Sequence, residues 1–241
     1  MLPRIVDIHT HMVPSGDDGV KTIDEAVELC SAAAKRGTAV LYVTPHVNED
    51  LPLLPEREAG VRASAARLGE LLQDHGLEVR VGFEIHPIVA NEEPDLGRYC
   101  LDSFDAMLLE CPLDAGPRYA IEAIFSAAER AEAAGLLPVL AHPERSPAFL
   151  TTDGAASDAA RRGWLLQVTA ASLSGRDGEQ VRKFAWTLVE EGRASVVASD
   201  AHRPDRPPFL DHAFRALAGR FGKTRAAALL DGSALAAASK L

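Results

Sequence analysis

The sequence has few cysteines, more acidic than basic residues and no long apolar run, and each shortage excludes a class of protein. Cys30, Cys100 and Cys111 are too few and too scattered for a disulfide framework or a thiolate zinc site. The formal net charge of −10 disfavours nucleic acid or an anionic membrane as the main partner. No apolar run approaches the roughly 20 residues that span a bilayer, and the first residues do not resemble a signal peptide. We therefore expect a cytoplasmic protein without nucleic acid binding or membrane insertion.

Short β-rich runs alternate with long stretches of Ala, Leu, Glu and Arg along the whole chain, which predicts an α/β fold around a mostly parallel sheet. The predicted strands are Ile5–His9, Ala39–Thr44, Glu78–Glu84, Ala106–Cys111, Leu137–Ala141, Leu165–Thr169 and Ser195–Ser199. No linker or repeat interrupts the alternation, so we expect a single domain over residues 1–241. Closure of such strands into a barrel would place the active site at their C-terminal ends.

The helices also have boundary residues in the sequence. Thr22, followed three residues later by Glu25, predicts the N-terminus of a helix that ends near Gly37. The other predicted helices are Pro55–His75, Ile121–Ala134, Asp177–Glu191, Phe209–Phe221 and Thr224–Asp231.

Two histidines one residue apart, His9 and His11, follow the first apolar run. Side chains two apart on a strand point to the same side, so both imidazoles would reach one point beyond the strand end. Later strand-like runs also end in side chains that bind metals. These candidate ligands are His46, Glu84, His142, Asp200 and His202, to which we add Glu110 and an acid of the Asp17–Asp18 pair.

The candidate set contains about nine nitrogen and oxygen ligands and no sulfur. Imidazole with carboxylate suits Zn, Mn or Fe, and nine ligands exceed the need of one ion, so we expect two or three divalent ions. Closely spaced cations can activate a water molecule and neutralise phosphate oxygens, which predicts hydrolysis of a phosphate ester.

These residues together resemble the motifs of the polymerase and histidinol phosphatase (PHP) family. The motifs are Asp7-Ile8-His9-Thr10-His11, Asp17-Asp18-Gly19, Thr44-Pro45-His46, Ala141-His142-Pro143-Glu144-Arg145, Leu166-Gln167-Val168-Thr169-Ala170 and Ala198-Ser199-Asp200-Ala201-His202. The chain is most similar to the bacterial CpsB/YwqE-like PHP-type protein-tyrosine phosphatases. The resemblance implies a distorted seven-stranded (β/α) barrel with a trinuclear metal site, and a role in regulating capsule or exopolysaccharide biosynthesis.

The resemblance also implies how the ligands are shared among three ions. One ion would be held by His9, His11, Glu84 and Asp200, and a second by Glu84, Glu110 and His142, with Glu84 bridging the two. A third would be held by His46, His202 and an acid of the Asp17–Asp18 pair, for which we favour Asp18. Manganese is the expected metal, with Fe, Zn and Co as alternatives.

Three further residues are predicted to take part in catalysis. Arg145 and Arg206 lie where the group's phosphate-binding arginines would lie, and a planar guanidinium can bind two phosphate oxygens at once. Arg203 competes with Arg206 for that role. Asp17 would orient a ligand or assist proton transfer to the leaving phenolate.

The sequence Cys30-Ser31-Ala32-Ala33-Ala34-Lys35-Arg36 matches the Cys-x5-Arg string of thiol-dependent tyrosine phosphatases. That chemistry requires a glycine-rich phosphate loop, whereas this segment lies in an Ala-rich predicted helix. We therefore predict that Cys30 is a core residue. His75 and His212 are predicted to be structural or exposed. His86 could contact substrate or a metal ligand.

The sequence predicts a hydrolase that attacks phosphotyrosine in proteins with a metal-activated hydroxide and without a cysteine nucleophile. A bacterial tyrosine kinase is the partner that the resemblance implies. Two alternatives stay open: a small-molecule phosphoesterase of the same family, similar to a histidinol-phosphate phosphatase, and a catalytically silent metal-binding regulator. The oligomeric state is not predicted.

Overall fold

The computed structural model describes residues 3–113 and 117–238. Within these residues the chain forms nine β-strands and ten α-helices. The strands are β1 (Ile5–Asp7), β2 (Thr38–Val43), β3 (His46–Val47), β4 (Glu78–Val81), β5 (Glu84–Ile85), β6 (Ala106–Glu110), β7 (Leu137–Ala141), β8 (Leu165–Thr169) and β9 (Ala194–Ala198). The helices are α1 (Ile23–Ala34), α2 (Pro55–Leu71), α3 (Pro87–Glu92), α4 (Pro117–Ala133), α5 (Pro147–Thr151), α6 (Ala155–Arg161), α7 (Ala170–Ser174), α8 (Glu179–Glu190), α9 (Asp211–Phe221) and α10 (Lys223–Ala228).

The described residues divide into two compact units. The first unit contains residues 3–83 and 198–233, and the second contains residues 84–113, 117–197 and 234–238. The assignment of residues 1–241 to a single domain stays a prediction.

In the first unit, β2 lies between β1 and β4 and is parallel to both. Val6 pairs with Val40 on one side of β2, and Val43 pairs with Val81 on the other. All three residues of β1 and five of the six residues of β2 are buried. A parallel strand covered on both faces needs apolar side chains on both, which explains why these runs are continuously hydrophobic.

Helix α1 begins as the sequence predicts. The Thr22 hydroxyl accepts a hydrogen bond from the Glu25 N–H at 3.2 Å, which satisfies one of the unpaired donors of the first turn. The Glu25 carboxylate in turn accepts from the Lys21 N–H at 3.0 Å. The helix buries Ala26, Leu29, Cys30 and Ala33 along one stripe.

In the second unit, the strands follow the order β5-β6-β7-β8-β9, and the pairs from β5 to β8 are parallel. Glu84 of β5 pairs with Leu108 of β6, and Glu110 of β6 pairs with Ala141 of β7. Because Leu108 and Glu110 are two apart, this register places both glutamates on the same face of the sheet. The first four residues of β6 and the last four of β7 are buried. Glu110 therefore comes directly after a run of buried apolar residues in β6.

The predicted α/β fold is confirmed, and β7 and β8 have the predicted bounds. The predicted strand Glu78–Glu84 was wrong as one element, because β4 ends at Val81 and β5 begins at Glu84. The helix predicted over Pro55–His75 ends at Leu71. A 3-10 turn follows it, and Gly76 ends that turn in the left-handed conformation with φ of 66°.

The remaining predicted helices are present with shifted ends. Helix α4 begins before Ile121, whereas α8 and α9 each start two residues later than predicted. Strand β3 and the short helices α3, α5, α6 and α7 were not predicted, because elements of two to seven residues show little periodicity. No helix in the described part of the chain is long and apolar enough to cross a membrane.

Candidate metal centre

His9, His11 and Asp200 are brought together in the first unit by backbone pairing. The Asp200 N–H donates to the His9 carbonyl at 3.0 Å, and the His11 N–H donates to the Ala201 carbonyl at 2.7 Å. The segment after β1 is therefore aligned with the segment that begins at residue 198. The buried Asp7 carboxylate adds to this alignment by accepting from the Ser199 N–H at 3.0 Å.

The donor atoms of these three residues are spaced as ligands of one ion would be. His9 Nε2 lies 3.4 Å from His11 Nε2 and 3.5 Å from Asp200 Oδ1, and His11 Nε2 lies 3.7 Å from the same oxygen. Tetrahedral ligands with bonds of about 2.0–2.1 Å are separated by roughly 3.4 Å. All three side chains are buried. The donor types and spacing therefore fit a divalent cation.

A second group shares His11 and adds Asp18, His46 and His202. One donor atom from each lies within 4.8 Å of the others. Asp18 Oδ1 is 3.3 Å from His202 Nε2 and 3.7 Å from His46 Nε2. The hydrogen bond with His202 lowers the pKa of Asp18 to about 2, and burial lowers the pKa of His202. Both shifts favour the protonation states that bind metals.

Asp17 lies behind these ligands. Its Oδ2 accepts from His11 Nδ1 at 2.9 Å and from the His46 N–H at 3.2 Å, and its Oδ1 accepts from the Gly19 N–H at 3.1 Å. An imidazole that donates from Nδ1 to a carboxylate presents the lone pair of Nε2 on its other side. Burial raises the pKa of Asp17, but the hydrogen bond with His11 and the charge of His11 lower it by more, so that it falls below its ordinary value. The contacts favour an orienting role for Asp17 over proton transfer.

Two residues to which the sequence analysis gave no role, Gly19 and Arg57, fix the backbone around this cluster. A Cβ at Gly19 would lie 2.3 Å from the carbonyl oxygen of His11, so only glycine fits there. Arg57, in the first turn of α2, donates to the carbonyls of Ser15, His46 and Leu51 at 2.7–3.1 Å. The Asp-Asp-Gly motif could have indicated Gly19, whereas nothing in the sequence marks Arg57.

The second unit brings Glu84 and His142 together. Glu84 is fully buried, and its Oε1 lies 2.8 Å from Nε2 of His142, which directly follows β7. Glu110, at the end of β6, lies on the same sheet face as Glu84 and is half-buried. Burial of a carboxylate is costly unless a cation or hydrogen-bond donor compensates it. These three residues therefore form a second candidate ligand group.

His142 and Asp200 have backbone conformations that are rare for residues with side chains. Their φ angles are 38° and 51°, in the left-handed region. Such strain costs on the order of 1–3 kcal/mol and is often found at functional sites. Each residue directly follows or closely follows a buried strand, and each is a predicted ligand.

The predicted phosphate-binding arginines are both part-buried. Arg145 ends a 3-10 turn, Pro143–Arg145, and its Nε lies 4.0 Å from Asp177 Oδ2. Arg206 donates from Nη2 to Asp200 Oδ2 at 2.6 Å and to the Asp200 carbonyl at 3.0 Å. Arg203 is more exposed and lies 4.0 Å from Asp205. Within this loop, Arg206 is therefore the arginine that reaches a candidate ligand.

Glu144 is a buried acid whose environment the sequence did not reveal. Its Oε1 accepts from the Thr169 N–H at 2.9 Å and from the Ser172 hydroxyl at 2.8 Å. Burial nevertheless raises the pKa of Glu144 to about 7. Glu144 follows the candidate ligand His142 by two residues and precedes Arg145 directly.

The other residues considered in the sequence lie away from the candidate ligands or have structural contacts. Cys30 is buried in α1, and burial raises the pKa of its thiol well above the ordinary value, as expected of a core residue. His75 and His212 are exposed. His86 caps α3, where its Nδ1 accepts from the Ile88 N–H at 3.3 Å.

The family described as "Capsular polysaccharide synthesis, CpsB/CapC" matches residues 5–236. The tyrosine-protein phosphatase YwqE of Bacillus subtilis (strain 168) is 34% identical over 203 residues, which are 82% of this chain and 77% of YwqE. The tyrosine-protein phosphatase CpsB of Streptococcus agalactiae is 25% identical over 238 residues, which are 92% of this chain and 93% of CpsB.

The fold is also similar to that of a solved structure. This structure is from a study of YwqE from Bacillus subtilis and CpsB from Streptococcus pneumoniae, which are described as unique metal-dependent tyrosine phosphatases. The similarity has a TM-score of 0.80 at 29% identity and covers 98% of this chain and 96% of that chain.

Proposed function

The chain belongs to the CpsB/CapC family of capsular polysaccharide synthesis, and on that basis we propose that it is a metal-dependent protein-tyrosine phosphatase. YwqE and CpsB are named tyrosine-protein phosphatases. The observation that carries the proposal is the convergence of His9, His11 and Asp200, whose donor atoms lie within 3.7 Å of one another. Nitrogen and oxygen donors at this spacing suit a divalent cation.

The candidate ligands divide into three sets. His9, His11 and Asp200 would hold one ion, and Asp18, His46 and His202 a second. Glu84, Glu110 and His142 would provide ligands in the second unit. The bridging role of Glu84 stays a prediction, as does manganese among Mn, Fe, Zn and Co. Divalent cations bound by these residues would activate water and neutralise the charge of the phosphate oxygens.

The protein's own residues would then bind and orient the substrate. Arg145 and Arg206 each carry a guanidinium that can bind two phosphate oxygens and stabilise charge on them during the reaction. Asp17 keeps His11 in one orientation through its 2.9 Å contact with Nδ1. This contact, together with the His46 N–H that Asp17 also accepts, favours an orienting role for Asp17 over proton donation to the leaving group. A phenolate, with an ordinary pKa near 10, can leave with little proton assistance.

Cysteine chemistry has no suitable nucleophile in the described residues. Cys30, Cys100 and Cys111 are all buried, and burial raises the pKa of both Cys30 and Cys111. A thiol must be accessible and readily ionised to attack phosphorus. The proposed hydrolysis therefore proceeds without a covalent phosphocysteine.

The biological setting is part of the proposal. Phosphotyrosine proteins are the proposed substrates, a bacterial tyrosine kinase is the proposed source of the phosphate, and capsule or exopolysaccharide synthesis is the process regulated. The family description supports the last of these. Cytoplasmic location stays a prediction.

Substrate preference tests the proposed function. Purified protein loaded with Mn²⁺ should hydrolyse phenyl phosphate and a phosphotyrosine peptide at least about 10-fold faster than alkyl phosphates, since the better leaving group lowers the barrier. The measurement is kcat/KM for each compound, with metal content determined by elemental analysis of the same sample. Faster cleavage of histidinol phosphate or nucleotides would favour a small-molecule phosphoesterase instead. Metal-replete protein without turnover would favour a silent regulator.

A further inference from the structure

We propose that Asp177 is a positioning residue that holds the Arg145 guanidinium in place for binding a phosphate group. This inference rests on the proposed function of Arg145. Asp177 lies between α7 and α8, and its Oδ2 is 4.0 Å from Arg145 Nε. Only 15% of the Arg145 side chain and 23% of the Asp177 side chain are exposed, so solvent screens this pair less than a surface pair.

Asp177 also contacts a buried hydroxyl, whose single proton can be donated either to Asp177 or to Glu144 at one time. Ser172 Oγ lies 3.0 Å from Asp177 Oδ2 and 2.8 Å from Glu144 Oε1. Glu144 also accepts from the Thr169 N–H at 2.9 Å, which fixes its carboxylate against the end of β8. Ser172 and Glu144 are fully buried, so this part of the network has little freedom to move.

The contacts form a closed circuit because Glu144 and Arg145 are neighbours in sequence. The circuit runs from Arg145 to Asp177, then to Ser172, then to Glu144, and back through the 3-10 turn to Arg145. The Asp177 contact is an ion pair and not a hydrogen bond, so it favours one direction of the arginine side chain relative to the turn that carries it. None of the circuit's members except Arg145 is among the predicted ligands or catalytic residues.

The arrangement suits an arginine that binds an anion. A guanidinium is a rigid plane with donors on more than one edge, so a carboxylate near Nε can orient the plane while the terminal nitrogens bind phosphate. Ordering the side chain before the ligand arrives reduces the entropy lost on binding. A displacement of about 1 Å in such a group can cost about 100-fold in rate.

The test measures binding of inorganic phosphate to the metal-loaded protein by calorimetry, together with KM and kcat for phenyl phosphate. Asp177→Asn should weaken phosphate binding about 10-fold and raise KM by a similar factor. Ser172→Ala should have a smaller effect in the same direction, about 3-fold, because it frees Asp177 without removing it. Asp177→Glu should restore part of the loss.

Two further variants make the result specific. Glu179→Gln removes an exposed acid from the start of α8, where it pairs with Arg182 on the surface, and should change binding less than about 2-fold. In an Arg145→Ala background, Asp177→Asn should cause no further loss, because Asp177 acts through Arg145. Thermal midpoints of all variants show whether each remains folded.

A purely electrostatic role of Asp177 predicts the opposite change in phosphate binding. If Asp177 were only a nearby negative charge, Asp177→Asn would tighten phosphate binding by removing repulsion. Unchanged or tighter binding in Asp177→Asn, or a further full loss in the double variant, would overturn the proposal.

The proposed function can fail separately. If Asp177→Asn weakens phosphate binding but the wild type does not hydrolyse phosphotyrosine, the proposed phosphatase function is contradicted and the positioning role of Asp177 is kept. If the wild type hydrolyses phosphotyrosine and Arg145→Ala is as active as the wild type, the positioning role is contradicted and the phosphatase function is kept.

Discussion

Gly19 approaches His11 so closely that a side chain cannot be accommodated. The Val20 N–H donates to the His11 carbonyl at 3.1 Å, and the Gly19 N–H donates to Asp17 at 3.1 Å, so the turn folds back over the histidine. An added Cβ would lie 2.3 Å from the His11 carbonyl oxygen and 2.6 Å from the His11 Cβ. Relief of that clash requires movement of the turn or of the candidate ligand.

We therefore predict that Gly19→Ala reduces metal affinity and phosphatase activity by at least about 10-fold, since misplaced ligands bind metals poorly. Gly60→Ala is the matched control. Gly60 lies in α2, and nothing lies within 4 Å of its added Cβ. This control should be as active as the wild type and slightly more stable, by about 0.5–1 kcal/mol. Equal metal affinities for the two variants, measured by chelator competition, would contradict the prediction.

At the scale of secondary-structure elements, α2 supports the candidate centre through one side chain of its first turn. Arg57 Nη1 donates to the Leu51 carbonyl at 2.7 Å and Nη2 to the His46 carbonyl at 2.8 Å, while Nε donates to Ser15 at 3.1 Å. The His46 carbonyl belongs to β3, that of Leu51 to the loop after β3, and that of Ser15 to the turn before Asp17. One rigid guanidinium thus connects the turn that carries Asp18 to the segment that carries His46.

Arg57→Lys should weaken this connection, because an ammonium group cannot reproduce the fixed fork of a guanidinium. We expect metal affinity at the Asp18 and His46 set to fall about 10-fold, with about 1–2 kcal/mol lost from the free energy of unfolding. Titration of metal-free protein with Mn²⁺ and denaturant unfolding provide the measurements. Arg67→Lys, at an exposed pair with Glu70 on the same helix, is the control and should change neither. Identical titrations for both variants would exclude the connecting role.

Long elements could be predicted from the sequence, whereas short ones and the contacts between loops could not. Strands β7 and β8 have the predicted bounds because short runs rich in Leu and Val, four of whose five residues are buried, mark buried parallel strands. The two-residue strand β5 has no periodicity of its own, so it was merged with β4. The sequence indicated which histidines and acids lie near the ends of strands. It did not indicate that Ser172 contacts Glu144 or that Asp177 contacts Arg145, because such contacts depend on how distant segments pack.

At the scale of the whole molecule, buried acids make stability depend on pH. Burial raises the pKa of Glu144 from its ordinary 4.5 to about 7 and that of Asp7 from 3.8 to about 6. The folded state then binds protons more tightly than the unfolded state. The stability that Glu144 and Asp7 contribute to the metal-free protein is therefore lost as pH rises from their unfolded to their folded pKa values.

The contribution of Glu144 can be isolated by Glu144→Gln, because glutamine is neutral at every pH. Between pH 4.5 and about 7, the wild type should lose about 3 kcal/mol relative to the variant, from about 1.4 kcal/mol per pKa unit. Below pH 4.5 the difference between the two proteins should be nearly constant, which provides the internal control. The measurement is urea unfolding of metal-free protein at several pH values. Parallel stability curves across the interval would show that Glu144 titrates normally in the folded state.

The first unit is made from two stretches of chain, residues 3–83 and 198–233, with most of the second unit between them. On the ribosome, His9, His11 and His46 are therefore synthesised long before Asp200 and His202. A nascent chain that carries only the early histidines has an incomplete set of donors and should retain metal weakly. We therefore expect the donor set of this unit to be complete only late in synthesis, after Asp200 and His202 have been added.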